Sequence, residues 1–110
     1  MFDNTFLESL LNSLKNPILF ADTAHVVRYV NRAARRFYSG ADELVGKSLL
    51  DCHNPRSCEI MQEVLERLAA GQDEELIVDS EKHRIYMRAV RDVDDRLIGY
   101  YERFEPPLGS

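Results

Sequence analysis

The sequence predicts an α+β fold in which helices pack on one face of a five-stranded antiparallel sheet. Two segments carry apolar residues at helical spacing, and five short runs are rich in β-branched and aromatic residues. These elements follow one another in the order helix, strand, strand, three helical pieces and three strands. Helices that cover one face of an antiparallel sheet give the α+β class of domain.

An amphipathic helix is predicted over residues 5–15. It ends at Asn16, because the residue before a proline, here Pro17, avoids helical geometry. Five apolar side chains form one stripe along this helix: Phe6, Leu7, Leu10, Leu11 and Leu14. A helix that faces solvent does not normally expose so much apolar area, so we expect the stripe to contact a second copy of the chain or its own sheet.

The first two strands are predicted at 18–21 and 26–30, with a polar turn at 22–25 between them. His25 lies in this turn, and His83 lies at the start of a later strand. Histidines in such positions are usually exposed, so we expect both on the surface.

Asn31 follows the second strand and is predicted to cap the next helix, since its side chain can accept a hydrogen bond from a free helix N–H. That helix is expected to direct Ala34 and Phe37 inward. A single helical turn at 42–45 is expected to end at Gly46, whose missing Cβ permits left-handed backbone geometry.

The longest helix is predicted over residues 54–70. Asn54 is its cap and Pro55 its first residue, where the missing proline N–H costs nothing. Its apolar stripe consists of Ile60, Met61, Val64, Leu65 and Leu68. This stripe is expected to pack across the concave face of the sheet.

The last three strands are predicted at 76–78, 83–90 and 97–104, and acidic neighbours indicate that the first of them is an edge strand. In the middle strand, one face consists of Ile85, Met87 and Ala89.

Length and composition indicate one domain: the chain has 110 residues, of which 45% are hydrophobic. We divide it into an N-terminal helix (1–16), the main domain (17–105) and a tail or linker stub (106–110). The net charge of −5 argues against a nucleic-acid partner, which would require a basic surface. No apolar run approaches the ~20 residues that span a membrane, and no signal peptide is evident. The expected location is the cytoplasm.

Four stretches together resemble a PAS sensor domain over residues 17–104: PILFADTAHVVRYVNRAA (17–34), ELVGKS (43–48), HRIYMRAVRD (83–92) and RLIGYYERF (96–104). The segment at 46–55 is similar to a bacterial PAS subgroup with the pattern G-K-S-x-x-x-C-H-x-P. The resemblance implies a sensing or docking function rather than catalysis. It also implies that the chain can be a module of a longer protein.

The resemblance further implies an internal cavity between the sheet and the longest helix. We predict that the cavity is lined by Leu50, Cys52, His53, Ile60, Met61, Val64, Ile85 and Met87. Some PAS domains bind haem through a histidine near this helix, which makes His53 a candidate. We nevertheless favour a small organic ligand, because one histidine supplies only one axial ligand. Bulky side chains are also expected to occupy the volume that a porphyrin needs: Phe20, Tyr29, Phe37 and Met87. The identity of the ligand or cofactor stays open.

Cys52, His53 and Cys58 form a metal-like cluster in the sequence, but the second half of a zinc-binding pattern is missing. We predict no metal site and interpret the cysteines as small buried apolar residues. A redox pair is the alternative, because Cys58 lies in the first turn of a predicted helix, where the helix dipole favours the thiolate. No acid–base or nucleophile pattern predicts an enzyme.

Two functions fit the sequence. The first is a sensor module that binds a small ligand in its cavity and transmits the signal to a partner or output domain. The second is a dimerisation or docking domain whose core is filled and which binds no small molecule. In either case we predict a homodimer formed through the N-terminal helix.

Overall fold

A computed structural model describes residues 4–37 and 39–108 of the chain. It contains the predicted five-stranded antiparallel sheet. The strands are β1 (Ile18–Asp22), β2 (Val27–Val30), β3 (Glu74–Asp79), β4 (Arg84–Arg91) and β5 (Leu97–Glu105). Their order across the sheet is β2-β1-β5-β4-β3, and every neighbouring pair is antiparallel. The prediction that the third strand lies at an edge is therefore confirmed.

Three α-helices accompany the sheet: α1 (Asn4–Ser13), α2 (Arg32–Phe37) and α3 (Pro55–Ala69). Two short 3-10 turns, at Ala41–Leu44 and Leu49–Asp51, connect α2 to α3. The start of α3 is as predicted, since the Asn54 Oδ1 accepts a hydrogen bond of 2.8 Å from the Ser57 N–H. The second 3-10 turn was not predicted. It begins at Ser48, whose hydroxyl oxygen accepts from the Leu50 N–H.

The hydrophobic core lies between α3 and one face of the sheet. Met61, Val64 and Leu68 are the buried residues of α3, and they pack against Leu19, Met87 and Tyr100 of the strands among others. The predicted stripe of α3 therefore faces the sheet. Arg67 and Glu75 join the end of α3 to β3 by paired hydrogen bonds of 2.8 and 2.7 Å.

Ala34 of α2 is buried as expected, but the prediction that Phe37 points inward is wrong. Phe37 is 52% exposed because α2 is short and ends at this residue, beyond the edge of the core. Its ring packs instead against the rings of His83 and Phe104, with centroids 6.2 and 5.4 Å away. This contact leaves His83 half-buried rather than fully on the surface.

Asn31 links α1 to the rest of the domain and is completely buried. Its Oδ1 accepts from the Ala34 N–H (2.9 Å), which confirms the predicted helix cap, and also from the Ile18 N–H (3.0 Å). Its Nδ2 donates to the carbonyls of Leu11 and Asn16, both at 3.1 Å. A side-chain amide has two donor hydrogens and one acceptor oxygen with two lone pairs, so every hydrogen-bonding position of Asn31 is used.

The apolar stripe of α1 remains largely uncovered, and α1 has no buried residue. The five residues of the predicted stripe keep between 36% and 50% of their surface exposed: Phe6, Leu7, Leu10, Leu11 and Leu14. Leu14 lies just after the helix, which ends at Ser13 and not at residue 15 as predicted. In the part of the chain that the structure describes, no helix is both long and apolar enough to cross a membrane.

Candidate functional site

A cavity of about 270 Å³ lies between the first half of α3 and strands β3, β4 and β5. Its walls consist of His53, Ser57, Ile60, Met61, Ile77, Val78, Ile85, Glu102 and Phe104. Most of this surface is aliphatic or aromatic. Such a lining, with a few polar groups at fixed places, is typical of small-molecule sites in proteins.

Four of the residues predicted to line a cavity lie on this wall: His53, Ile60, Met61 and Ile85. The other four do not. Val64 lies one turn after Ile60 and is fully buried in the packed core, as is Met87. Leu50 packs against the outside of the core.

Cys52 is the fourth predicted residue that does not line the cavity. It is exposed and borders a separate surface groove beside Gly46, Lys47 and Ser48. It lies there because the Leu49–Asp51 turn ends at Cys52 and directs the chain away from the cavity. The interpretation of Cys52 as a buried apolar residue is therefore wrong.

Cys58 is half-buried, and its Sγ–H donates to the Leu50 carbonyl at 3.2 Å. Within residues 4–37 and 39–108, no three His, Cys, Asp or Glu side chains are grouped so that they could hold a metal ion.

His53 lies at the edge of the cavity, just before α3. Its Nδ1 is 2.7 Å from the Leu49 carbonyl oxygen, which can only accept, so Nδ1 carries the hydrogen. In the neutral ring, Nε2 is then the acceptor. The Sγ of Cys52 is also near, 3.5 Å from the same Nδ1. His53 is thus held by local backbone while its ring borders the cavity.

Glu102 is a residue of the cavity wall that the sequence did not predict. It lies on β5 and is only 7% exposed. Its neighbours across the sheet are Leu19 on β1 and Met87 on β4, both buried and apolar. The sequence contained a usable signal, because Glu102 alternates with Tyr100 and Phe104 on one face of the strand.

Burial raises the pKa of the Glu102 carboxyl to about 7, while the nearby His53 acts in the opposite direction. The raised value follows from the cost of keeping a charge among apolar side chains. Near neutral pH the group is therefore divided between its protonated and ionised forms, and it can donate or accept a hydrogen bond.

The expectation that His25 lies on the surface is wrong, since only 5% of the residue is exposed. Its Nδ1 is 2.8 Å from the hydroxyl of Tyr100, and the two rings meet edge to face. Tyr100 is fully buried, and a buried tyrosine hydroxyl needs a hydrogen-bond partner, which His25 supplies. Burial lowers the pKa of His25, and burial together with the Glu102 charge raises the pKa of Tyr100.

The opposite face of the sheet carries a second apolar depression of about 410 Å³. It is lined by Leu11, Leu14, Ile18, Phe20, Tyr29, Val90 and Tyr101. The expectation that Phe20 and Tyr29 occupy the ligand cavity is therefore wrong. On β1, Leu19 and Ala21 are the buried residues on the α3 side, so Phe20 points to the other face.

Comparison with known proteins agrees with this geometry. A sheet of five antiparallel strands, with a helix across one face and a cavity beneath it, is the architecture of a class of sensor domains. The family model for the PAS domain matches residues 7–105, so the chain belongs to the PAS domain family. PAS relatives are sensor and signalling modules, and some of them bind ligands.

Solved structures show the same fold. A C-terminal domain of a protein from Streptococcus mutans has a TM-score of 0.78 and 22% identity, covering 96% of this chain and 90% of that chain. The PAS domain of BvgS from Bordetella pertussis has a TM-score of 0.67 and 20% identity, covering 93% and 84%. The Aer2 receptor from Vibrio cholerae, described as a dual PAS-heme oxygen sensor, has a TM-score of 0.60 and 22% identity, covering 82% and 92%. No curated protein sequence matches this chain significantly.

Proposed function

We propose that this domain is a signal-sensing module that binds a small organic ligand in the cavity beneath α3 and transmits its occupancy to a partner or output domain. The observation that carries the proposal is the cavity itself: an apolar space of about 270 Å³ with a buried carboxyl group on its wall. A domain that served only to pack or dock would gain stability by filling that space. We propose no catalytic activity.

The size of the cavity favours a small ligand over haem. Pockets for drug-sized ligands have volumes of ~300–1,000 Å³, and this cavity lies just below that range. The Aer2 relative is a heme sensor, and His53 borders the cavity here, so haem is the alternative occupant. Phe20 and Tyr29 lie on the opposite face of the sheet and do not reduce the space in the cavity. The preference for a small ligand over haem therefore depends on the volume of the cavity.

Native mass spectrometry together with an absorption spectrum of the purified protein tests this function. We expect a bound small molecule and no Soret band. Replacing Ile60 with Trp should fill the cavity and remove the adduct, whereas Val93→Trp, at a fully exposed position, should leave it bound. A Soret band that disappears in His53→Ala would make haem the ligand, and an adduct unaffected by Ile60→Trp would place the ligand elsewhere.

The uncovered stripe of α1 supports a second role, homodimerisation through this helix. Leu7 and Leu10 are each 50% exposed, and the stripe continues into the apolar depression on the outer face of the sheet through Leu11 and Leu14. Two apolar surfaces side by side on one molecule favour a partner that covers both. We propose that the partner is the same region of a second copy.

The double substitution Leu7→Glu and Leu10→Glu is expected to convert a dimer into a monomer in light scattering. Both side chains are half exposed, so the charges should disturb association far more than folding. Val93→Glu is the control, since Val93 is fully exposed in the turn between β4 and β5. A dimer mass that survives the double substitution would remove α1 from the interface. A monomeric wild-type protein would exclude the dimer altogether.

A further inference from the structure

We propose that Glu102 is the recognition group of the cavity, and that the ligand it selects is a small organic base: an apolar body that carries a protonated nitrogen. This inference rests on the proposed function and specifies its ligand class.

The carboxyl group of Glu102 has no hydrogen-bonding or ion-pair partner in the described part of the chain. Three polar side chains are buried in the described part of the chain: His25, Asn31 and Glu102. Asn31 makes four hydrogen bonds, and His25 is bonded to Tyr100. For the Glu102 side chain, no hydrogen bond or ion pair is found among residues 4–37 and 39–108. Because no fully enclosed polar atom of these residues is left without a partner, the Glu102 oxygens retain contact with the cavity space.

Among the described residues around Glu102, His53 is the one group that can offset its charge, and it lies at the edge of the cavity. Leu19 and Met87 flank it on the neighbouring strands. The parts of α3 and β3 that face the cavity are apolar apart from Ser57. Tyr100, two residues before it on the same face, is engaged by His25. No other titratable group of the described residues lines the cavity besides Glu102 and His53.

A ligand with a positive charge gains most from the Glu102 carboxylate. A hydrogen bond to a charged group contributes roughly twice as much as one between neutral groups. A protonated amine would pair with the carboxylate and remove the cost of its isolated charge, whereas a neutral or purely apolar ligand would leave that cost in place. The apolar body of the ligand would pack against the aliphatic and aromatic side chains of the wall, among them Ile60, Ile85 and Phe104.

The experiment compares benzylamine with benzyl alcohol, which has nearly the same shape but no charge. Binding is followed by isothermal titration calorimetry, and by NMR of the isoleucine methyl groups, with Ile60 and Ile85 as reporters of the cavity. We expect benzylamine to bind more tightly. In Glu102→Gln its affinity should fall by about tenfold, with little change for benzyl alcohol. Glu63→Gln, on the exposed side of α3, is the matched control and should behave as wild type.

The pH dependence supplies an independent readout. Between pH 5.5 and 8 the carboxyl loses its proton, so the affinity of the wild type for benzylamine should rise, and it should stay nearly constant in Glu102→Gln. His53 interacts electrostatically with Glu102, so His53→Gln is measured as well and should retain most of the rise. Tighter binding of benzyl alcohol, or equal loss of both compounds in Glu102→Gln, would overturn this inference alone. If neither compound binds and native mass spectrometry finds no ligand, the proposed function fails with it.

Discussion

Glu102→Gln is expected to stabilise the ligand-free domain by about 3 kcal/mol at pH 8 and by less than about 1 kcal/mol at pH 5. The carboxyl pKa rises from an ordinary value of 4.5 to about 7 on folding. The folded state therefore binds the proton more tightly than the unfolded state does. The resulting cost to stability is absent well below pH 4.5, grows between pH 4.5 and 7, and is complete above pH 7. Gln has the same shape but cannot ionise, so it avoids this cost.

Urea denaturation of both proteins at pH 5 and pH 8 measures this effect. Glu63→Gln is again the control, because Glu63 is exposed on α3 and should show no such difference between the two pH values. If Glu102→Gln changed stability equally at both pH values, the carboxyl would not titrate as a buried group, and the cavity would be wetter than its apolar wall indicates.

Val64→Asp is expected to abolish cooperative folding. Val64 is fully buried at the centre of the α3 stripe, between Met61 and Leu68. An unpaired charge at such a position costs several kcal/mol, which is comparable to the whole stability of ~5–15 kcal/mol of a small domain. In contrast to Glu102, an aspartate at position 64 would have no cavity beside it to relieve the charge.

Circular dichroism during thermal unfolding checks the Val64→Asp prediction, and the spread of amide chemical shifts in an NMR spectrum is a second measure of folding. The matched control is Val93→Asp, the same substitution at a fully exposed valine, which should unfold with the wild-type midpoint. A Val64→Asp protein that kept a sharp transition near the wild-type temperature would show that α3 can shift away from the sheet, and would weaken the assignment of the core.

The elements with local determinants could be predicted from the sequence. Asn54 and Pro55 determine the start of α3 through interactions within one turn, and the α3 stripe repeats at helical spacing. The edge position of β3 followed from its acidic neighbours. Such features depend on residues close in the chain, so the sequence alone suffices to locate them.

Face assignment in β1 could not be predicted in the same way. Ile18, Leu19, Phe20 and Ala21 are all apolar, so the strand has no alternation to distinguish its two faces. Only the pairing with β5 and the position of α3 show that Leu19 faces the core and Phe20 the opposite side. The error over the contents of the cavity follows directly from this ambiguity.

The candidate site was half predictable for a similar reason. The stripe of α3 indicated which side of the helix faces the sheet, but not where along the helix a gap remains, since that depends on how side-chain volumes fit together. Glu102 and His25 were missed because charged and turn residues are usually exposed, and their burial depends on Leu19, Met87 and Tyr100, which are distant in sequence.

Asn31 has a mechanical consequence for the proposed sensor. Its amide group joins the end of α1 and the segment after it, the start of β1 and the first turn of α2 through four hydrogen bonds. Swinging α1 alone would break the bond to the Leu11 carbonyl and leave one Asn31 donor unpaired in the interior, at a cost of about 1–3 kcal/mol. A ligand-driven displacement of β1 would therefore move α1 together with it. The apolar stripe, where a second copy is proposed to bind, would then shift as well, so ligand binding in the cavity could alter the contact between the two copies.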